Sequence, residues 1–418
     1  MRRGVLVTFL ALLVGLAAAP AAQATVRFAD PNGSTSGTCA PPDPPCTLQR
    51  AVEDPQTVDG DEVIVNPGDY IESDQLLIGA SISLQGAAGQ PPPRILSDAS
   101  NAVRVSADAT DARVRRLTIE HSGFFNGLLL QAGSAEQVVV RSTHSACEIA
   151  ATAASETILR DSVCWTNGSP GSSALFVTTN DPGATATSYL RNVTAVATGD
   201  STQGIFVWGH GSGANTIVDA ENVIARGVGA DVWADTDAGA MATATLAHSN
   251  YVTEMETGIG SSSVTDPGTG TKNQTSSPLF ADAASGDFHQ LTGSPTINAG
   301  NASASLLGTL DVDGEPRILG PAPDIGADEL VDTSPPDTKI TKRPPKKTRK
   351  KRAAFKFTST EPGSTFECKL DRKPYKPCSS PKRYARLKRS RHVFRVRAKD
   401  GAGNVDPTPA ALSWKVKK

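Results

Sequence analysis

The stretch "GIFVWGHGSGAN", Gly204 to Asn215, places an imidazole between two glycines, next to an indole. Further on, "ADVWADT", Ala230 to Thr236, places an indole between two carboxylates. Both stretches alternate as strands do, and residues two apart in a strand share a face. Phe206, Trp208 and His210 therefore point one way from the first, and Asp231, Trp233 and Asp235 one way from the second. Two carboxylates are costly to bury, so the Asp/Trp face is expected outside. A shift of 25 residues stacks Phe206 on Asp231, Trp208 on Trp233 and His210 on Asp235. Two chemistries suit such a group. One is catalysis, for which His210 and Asp235 are the candidates on the resemblances given below. Exposed indoles beside carboxylates also hold sugars, with rings against the apolar sugar face and acids accepting from hydroxyls. The bland alternative is hydrophobic stacking along or inside the scaffold.

The elements that must position these residues repeat. Six segments, "VRRLTIEHS", "VRSTHSA", "LRDSVCW", "LRNVTAV", "DAENVIA" and "LAHSNYV", align Arg116, Ser142, Ser162, Asn192, Asn222 and Asn250, at spacings of 20 to 30 residues. A second short strand follows most of them, in "GLLLQAG", "ACEIAAT", "SALFVTT", "GIFVWGHG" and "ADVWADT". Helical periodicity is almost absent. Short strands at this period, joined only by turns, predict an all-β chain whose main domain is a right-handed parallel β-helix. Roughly ten coils stacked at about 4.8 Å make a rod on the order of 45 Å long. Stacked asparagines are expected to bond the backbone of the neighbouring coil.

"CTLQRAVEDPQTVDGDEVIVNPGDY" (Cys46 to Tyr70), "SPLFADAASGDFHQLTGSPTINAG" (Ser277 to Gly300) and "DVDGEPRILGPAPDIGADEL" (Asp311 to Leu330) resemble exported parallel β-helix proteins of the choice-of-anchor Q, pectin-lyase-like type. The resemblance spans nearly all of Thr25 to Leu330. It implies an extracellular β-helix and no settled activity. Asn298 stands where that group is expected to carry an acid. Asp311 and Asp313 look like the start of a calcium loop, but Gly314 falls at the fourth position where an EF-hand needs glycine at the sixth. A turn capping the open end of the rod is the preferred reading, with calcium left open there and at Asp400, Asn404 and Asp406. No other cofactor is expected.

Gly209-His210-Gly211 resembles the catalytic-histidine segment of polygalacturonases, and Trp233 with Asp235 resembles part of a pectate lyase segment. The first family's Asn-Thr-Asp, Asp-Asp and Arg-Ile-Lys strings are missing from this chain, and Thr236 replaces the second family's histidine. Glycoside hydrolysis needs a positioned pair of carboxyl groups, so the carry-over stops at single residues. The expected role is non-catalytic polysaccharide binding or adhesion. A polysaccharide lyase or glycoside hydrolase acting on an acidic polysaccharide is the alternative, and a purely structural surface protein the third.

The chain of 418 residues opens with two arginines, an apolar run and Ala22-Gln23-Ala24, the pattern of a signal peptide over 1–24. The expected product is secreted or held at the cell surface, has no membrane span after cleavage, and is a monomer. Export oxidises cysteines, and the six fall into three local pairs, Cys39–Cys46, Cys147–Cys164 and Cys368–Cys378. The β-helix domain is expected over 25–330, a linker over 331–338 and a small Ig-like β-sandwich over 339–418. The near-neutral total hides a split: Pro335 to Lys418 holds 26 Lys+Arg against 6 Asp+Glu, leaving 15 against 37 before it. "FECKLD", "CSSP" and "FRVRAKDGAGNVDPTPA" resemble Ig-like or fibronectin-like modules of exported bacterial proteins. The run "KRPPKKTRKKR", Lys342 to Arg352, suits an anionic cell-wall polymer, acidic polysaccharide or, unspecifically, extracellular DNA, with solubility or docking on the acidic β-helix as the equal alternative. It lacks the helix or interleaved aromatics of specific nucleic-acid readout.

Overall fold

The computed structural model describes residues 24–152, 156–179, 181–266, 272–361 and 363–418. Residues 1–23, with nearly all of the expected signal peptide, lie outside the described residues.

Branched and small residues at every second position make a parallel stack. One sheet of thirteen strands follows a path of ten successive strands from Val26–Ser34 to Ser261–Thr265. A second, eight-stranded sheet runs from Leu76–Ile78 to Glu254–Glu256. All pairings within both sheets are parallel, as in Ser134–Ser142 beside Glu156–Thr166 and Ser173–Thr179 beside Gln203–Gly209. The chain alternates between the sheets, so each coil contributes to both, which is a parallel β-helix. The two sheets enclose one apolar core that includes Leu84, Ile119, Val140, Leu190, Ile205 and Val232. The short helix Leu48–Glu53 adds Leu48, Ala51 and Val52 to the first coil's end of that core. Among the described residues no helix is long and apolar enough to cross a membrane.

Long strands of the first sheet bend once, each at a residue with positive φ. Arg116, Gln137, Asp161, Asn192, Asn222 and His248 have φ of 47 to 59° and occupy one column of neighbouring coils. Polar residues with short side chains tolerate this left-handed region best. The column corrects the expected alignment. Arg116, Asn192 and Asn222 stand as expected, but Gln137, Asp161 and His248 take the places assigned to Ser142, Ser162 and Asn250. Backbone geometry selects the position, and a polar-then-apolar pattern does not encode it.

The closing segment, residues 277–330, does not cap the open end. It straps the side of the rod along this bend column. Asn301 bonds Asn222, Ser305 bonds Arg191 and the Asp311 carbonyl accepts from Gln137, so the strap crosses the coils in reverse order. Its Phe288, Val312 and Ala327 pack on the outward-facing Val163, Trp165 and Val196. The reason is complementarity: the bend column offers polar side chains and the limb beside it offers apolar ones.

Residues 338–416 form a β-sandwich of a three-stranded and a five-stranded sheet. Phe355, Phe357, Phe394, Val396 and Trp414 fill its core. The three disulfides pair as expected, with Cα–Cα distances of 5.1, 5.8 and 5.8 Å. Cys147–Cys164 ties the second sheet to the first through the core.

Candidate functional site

Three neighbouring strands of the second sheet carry the candidate residues: Ser173–Thr179, Gln203–Gly209 and Ala230–Thr236. Leu175, Val177, Ile205, Val207, Val232 and Ala234 point inward and are buried. The alternate residues Phe176, Phe206, Trp208, Trp233 and Asp235 point outward and are half-buried. The outer face is thus where the sequence placed it, but the stacking differs. Phe206 lies beside Trp233 and Trp208 beside Asp235, a shift of 27 residues in place of 25. A two-residue slip keeps every side chain on its face while changing its partner.

The result is a continuous aromatic column. Phe176 and Phe206 stack with centroids 5.2 Å apart, and Phe206 and Trp233 stand 4.7 Å apart. Trp208 stacks 6.2 Å from Phe176 and 4.4 Å from the His210 ring. Glu148 precedes Phe176 in the column and Met255 follows Trp233. Burial raises the pKa of the Glu148 carboxyl, against the lowering effect of the Asn126 amide that bonds it. Phe176 and Glu148 were not singled out from sequence. Aligning "SALFVTT" with "GIFVWGHG" on their shared Phe-Val would have found the first.

The polar groups around the column divide by availability. The Trp233 indole N–H donates to Thr257 Oγ1 at 2.7 Å, which fixes the ring edge. His210 is exposed and its Nδ1 lies 2.6 Å from Asp237 Oδ2, so its partner is Asp237 and not Asp235. Asp235 accepts from the Thr236 N–H at 2.9 Å. Asp231 faces outward by parity yet is only 4% exposed. Its carboxylate accepts from the N–H groups of Gly227 and Val252 at 2.9 and 2.6 Å and pairs with Arg226 at 3.3 Å. It therefore organises turns and leaves no oxygen for a ligand. A ring column with His210, Asp235 and Asp237 beside it offers an outward strip of apolar ring edges and a few hydrogen-bonding groups.

A groove of about 490 Å³ lies on the first sheet beside the strap, lined by Glu120, His121, Arg141 and Trp165 among others. Both His121 nitrogens are engaged, with Ser142 Oγ at 3.2 Å and the Ala99 carbonyl at 2.9 Å, and burial lowers its pKa. Buried acids meet where the strap crosses the rod, Asp161 on the rod and Asp324, Asp328 and Glu329 on the strap. Burial raises Asp161, Asp328 and Glu329 to about 7 and Asp324 to about 6, with Arg317 opposing the rise at Asp161, Asp324 and Glu329. Arg317 Nε sits 3.2 Å from Asp161 Oδ1. His289 is raised to about 10, mainly by its bond to Asp313 at 3.0 Å and also by Asp287.

Three sets have ligand atoms within 4.8 Å of one another: His289, Asp313 and Asp328; Asp311, Asp313 and Glu315; and Asp332, Glu361 and Asp400. Carboxylates of this kind suit hard cations such as calcium. Internal bonds account for Asp311 in the second set, whereas in the third Asp400 Oδ2 is buried without a hydrogen-bond partner among the described residues. Asp311 accepts from the N–H groups of Asp313, Glu315 and Glu329, and Asp400 accepts from that of Asn404. Asp406 accepts from Thr338 and Thr408.

No family model matches the chain, and no curated protein sequence matches it.

Proposed function

We propose that the chain is an exported protein of the pectin-lyase-like kind that binds polysaccharide through the outer face of the second sheet, without cleaving it. The observation that carries this is the half-exposed column Phe176–Phe206–Trp233 with Trp208 and His210 alongside. Stacked rings make a long apolar strip at a spacing set by the coils, and a linear polymer of sugars can lie along it. Asp235 and the His210–Asp237 pair supply acceptors and donors at its edge. The three disulfides fit an oxidising compartment. Retention on immobilised polysaccharides tests the reading: the Trp208→Ala/Trp233→Ala double variant loses retention, and equal retention of the double variant contradicts it.

One observation favours cleavage as a second reading. An exposed histidine held by a carboxylate at 2.6 Å is the arrangement of a general base. Incubation with acidic and neutral polysaccharides, followed by an assay for new chain ends, decides between them. New ends that disappear in His210→Ala make the protein an enzyme.

A further inference from the structure

We infer that the basic module carries a second binding site, separate from the aromatic column, for a linear acidic polysaccharide. The site is the cleft between the hairpin formed by Thr365–Leu370 and Lys376–Cys378 and the segment around Lys382–Tyr384. It encloses about 720 Å³ and is lined by Lys369, Lys373, Lys376, Lys382, Arg386 and Lys388. A second cavity of about 640 Å³ adjoins it, sharing Asp371 and Lys373 and adding Arg372, Arg391 and Arg395. Together they form a basic track longer than a single small anion needs.

The charges on this track are uncompensated. Asp371 is the one acid lining either cavity, and it is already spent. Its Oδ2 bonds His392 Nδ1 at 2.9 Å and its Oδ1 accepts from the Val393 N–H at 2.9 Å. None of the nine lysines and arginines on the track makes an ion pair among the described residues. The acidic part of the chain is different. There Arg27, Arg94, Arg160, Arg191, Arg226 and Arg317 each meet a carboxylate. Clustered like charges repel, and although Lys369, Lys382 and Arg391 touch Tyr375, Tyr384 and Ser413, none is neutralised by a carboxylate, so their convergence on one concave wall favours an anionic partner.

The chemistry of the wall narrows the partner. The track mixes five lysines with four arginines, charges spread along a wall that suit carboxylates dispersed along a polymer. Single-stranded nucleic acid binds by stacking bases on free aromatic faces. The Tyr375 ring is taken up by Lys369 at 4.4 Å and Arg397 at 4.3 Å, and the Tyr384 ring packs on Phe355 and Phe394. An acidic glycan needs only the charges.

The test uses the full chain with polygalacturonate and a duplex DNA at matched charge concentration, and neutral dextran at matched mass concentration as the uncharged control. Polygalacturonate binding is expected to weaken on the order of tenfold between 50 and 200 mM salt, because binding releases counterions condensed on the polyanion. Lys373→Glu/Lys376→Glu/Lys388→Glu is expected to lower it a further tenfold or so, whereas the same three positions changed to arginine keep it. The Trp208→Ala/Trp233→Ala variant leaves this salt-dependent binding intact, so failure here and failure of the aromatic reading are told apart. Salt-independent binding, or an unchanged charge-reversal variant, overturns the site. Tighter binding of DNA than of polygalacturonate overturns the ligand class.

Discussion

At the residue scale, the fold turns on side chains that accept a left-handed backbone and still satisfy their polar atoms. Asn222 has φ of 59°, is fully buried, and bonds both the N–H and the carbonyl of Asn301. Asn222→Ala strains that backbone by about 1 kcal/mol and leaves strap groups unpaired at about 1–3 kcal/mol. A loss of roughly 2–4 kcal/mol in urea unfolding is expected. Asn222→Gly relieves the strain and is expected to lose less. Asn192 and Asn222 were legible in the sequence as a stacked pair. Gln137, Asp161 and His248 were not, because residue type alone does not report φ, and their partners lie more than a hundred residues away in the strap or on the neighbouring coil. Asp231 shows the other limit. Alternation set its face correctly, but turns at Gly227 and Val252 closed over it.

At the element scale, the strap is held by groups that titrate. Asp161, Asp324, Asp328 and Glu329 have pKa values raised to about 6 or 7 by burial. A carboxyl raised in the folded state contributes stability that is present below its ordinary value near 4 and is lost as pH rises through 6 to 7. His289, raised to about 10, acts in the same direction over a higher window, from near 6.5 up to 10. Protection factors over residues 277–330, taken relative to the intrinsic amide exchange rate at each pH, are therefore expected to be higher at pH 5 than at pH 8. Asp328→Asn keeps an acceptor for the Gln290 N–H while removing one titration, and is expected to flatten that dependence. Cys147–Cys164 closes a 17-residue span between the two sheets. Replacing both cysteines with alanine is expected to cost about 3 kcal/mol in denaturant unfolding. The three cysteine pairs were legible from local spacing. The strap's path was not: its motifs suggested a closing segment, but only tertiary contacts show that it closes a side.

At the scale of the whole molecule, an acidic rod and a basic sandwich carry opposite surfaces, and charge counting along the sequence separated them. The repeat likewise announced the stacked sheets, because inward positions must be apolar in every coil. Register escaped it, since a shift of 25 or 27 residues satisfies the same alternation. That slip decides which rings meet. The central claim is that Trp208 and Trp233 present a sugar-binding surface, whereas Trp165 and Trp414 are 9% and 2% exposed and serve packing. Oxidative footprinting of the four tryptophans, with and without a polysaccharide that retains the chain, tests it most directly. The account expects Trp208 and Trp233 to oxidise in the free protein and to be protected when the polysaccharide is bound, with Trp165 and Trp414 slow throughout. Unchanged oxidation of Trp208 and Trp233 at saturating polysaccharide would contradict it.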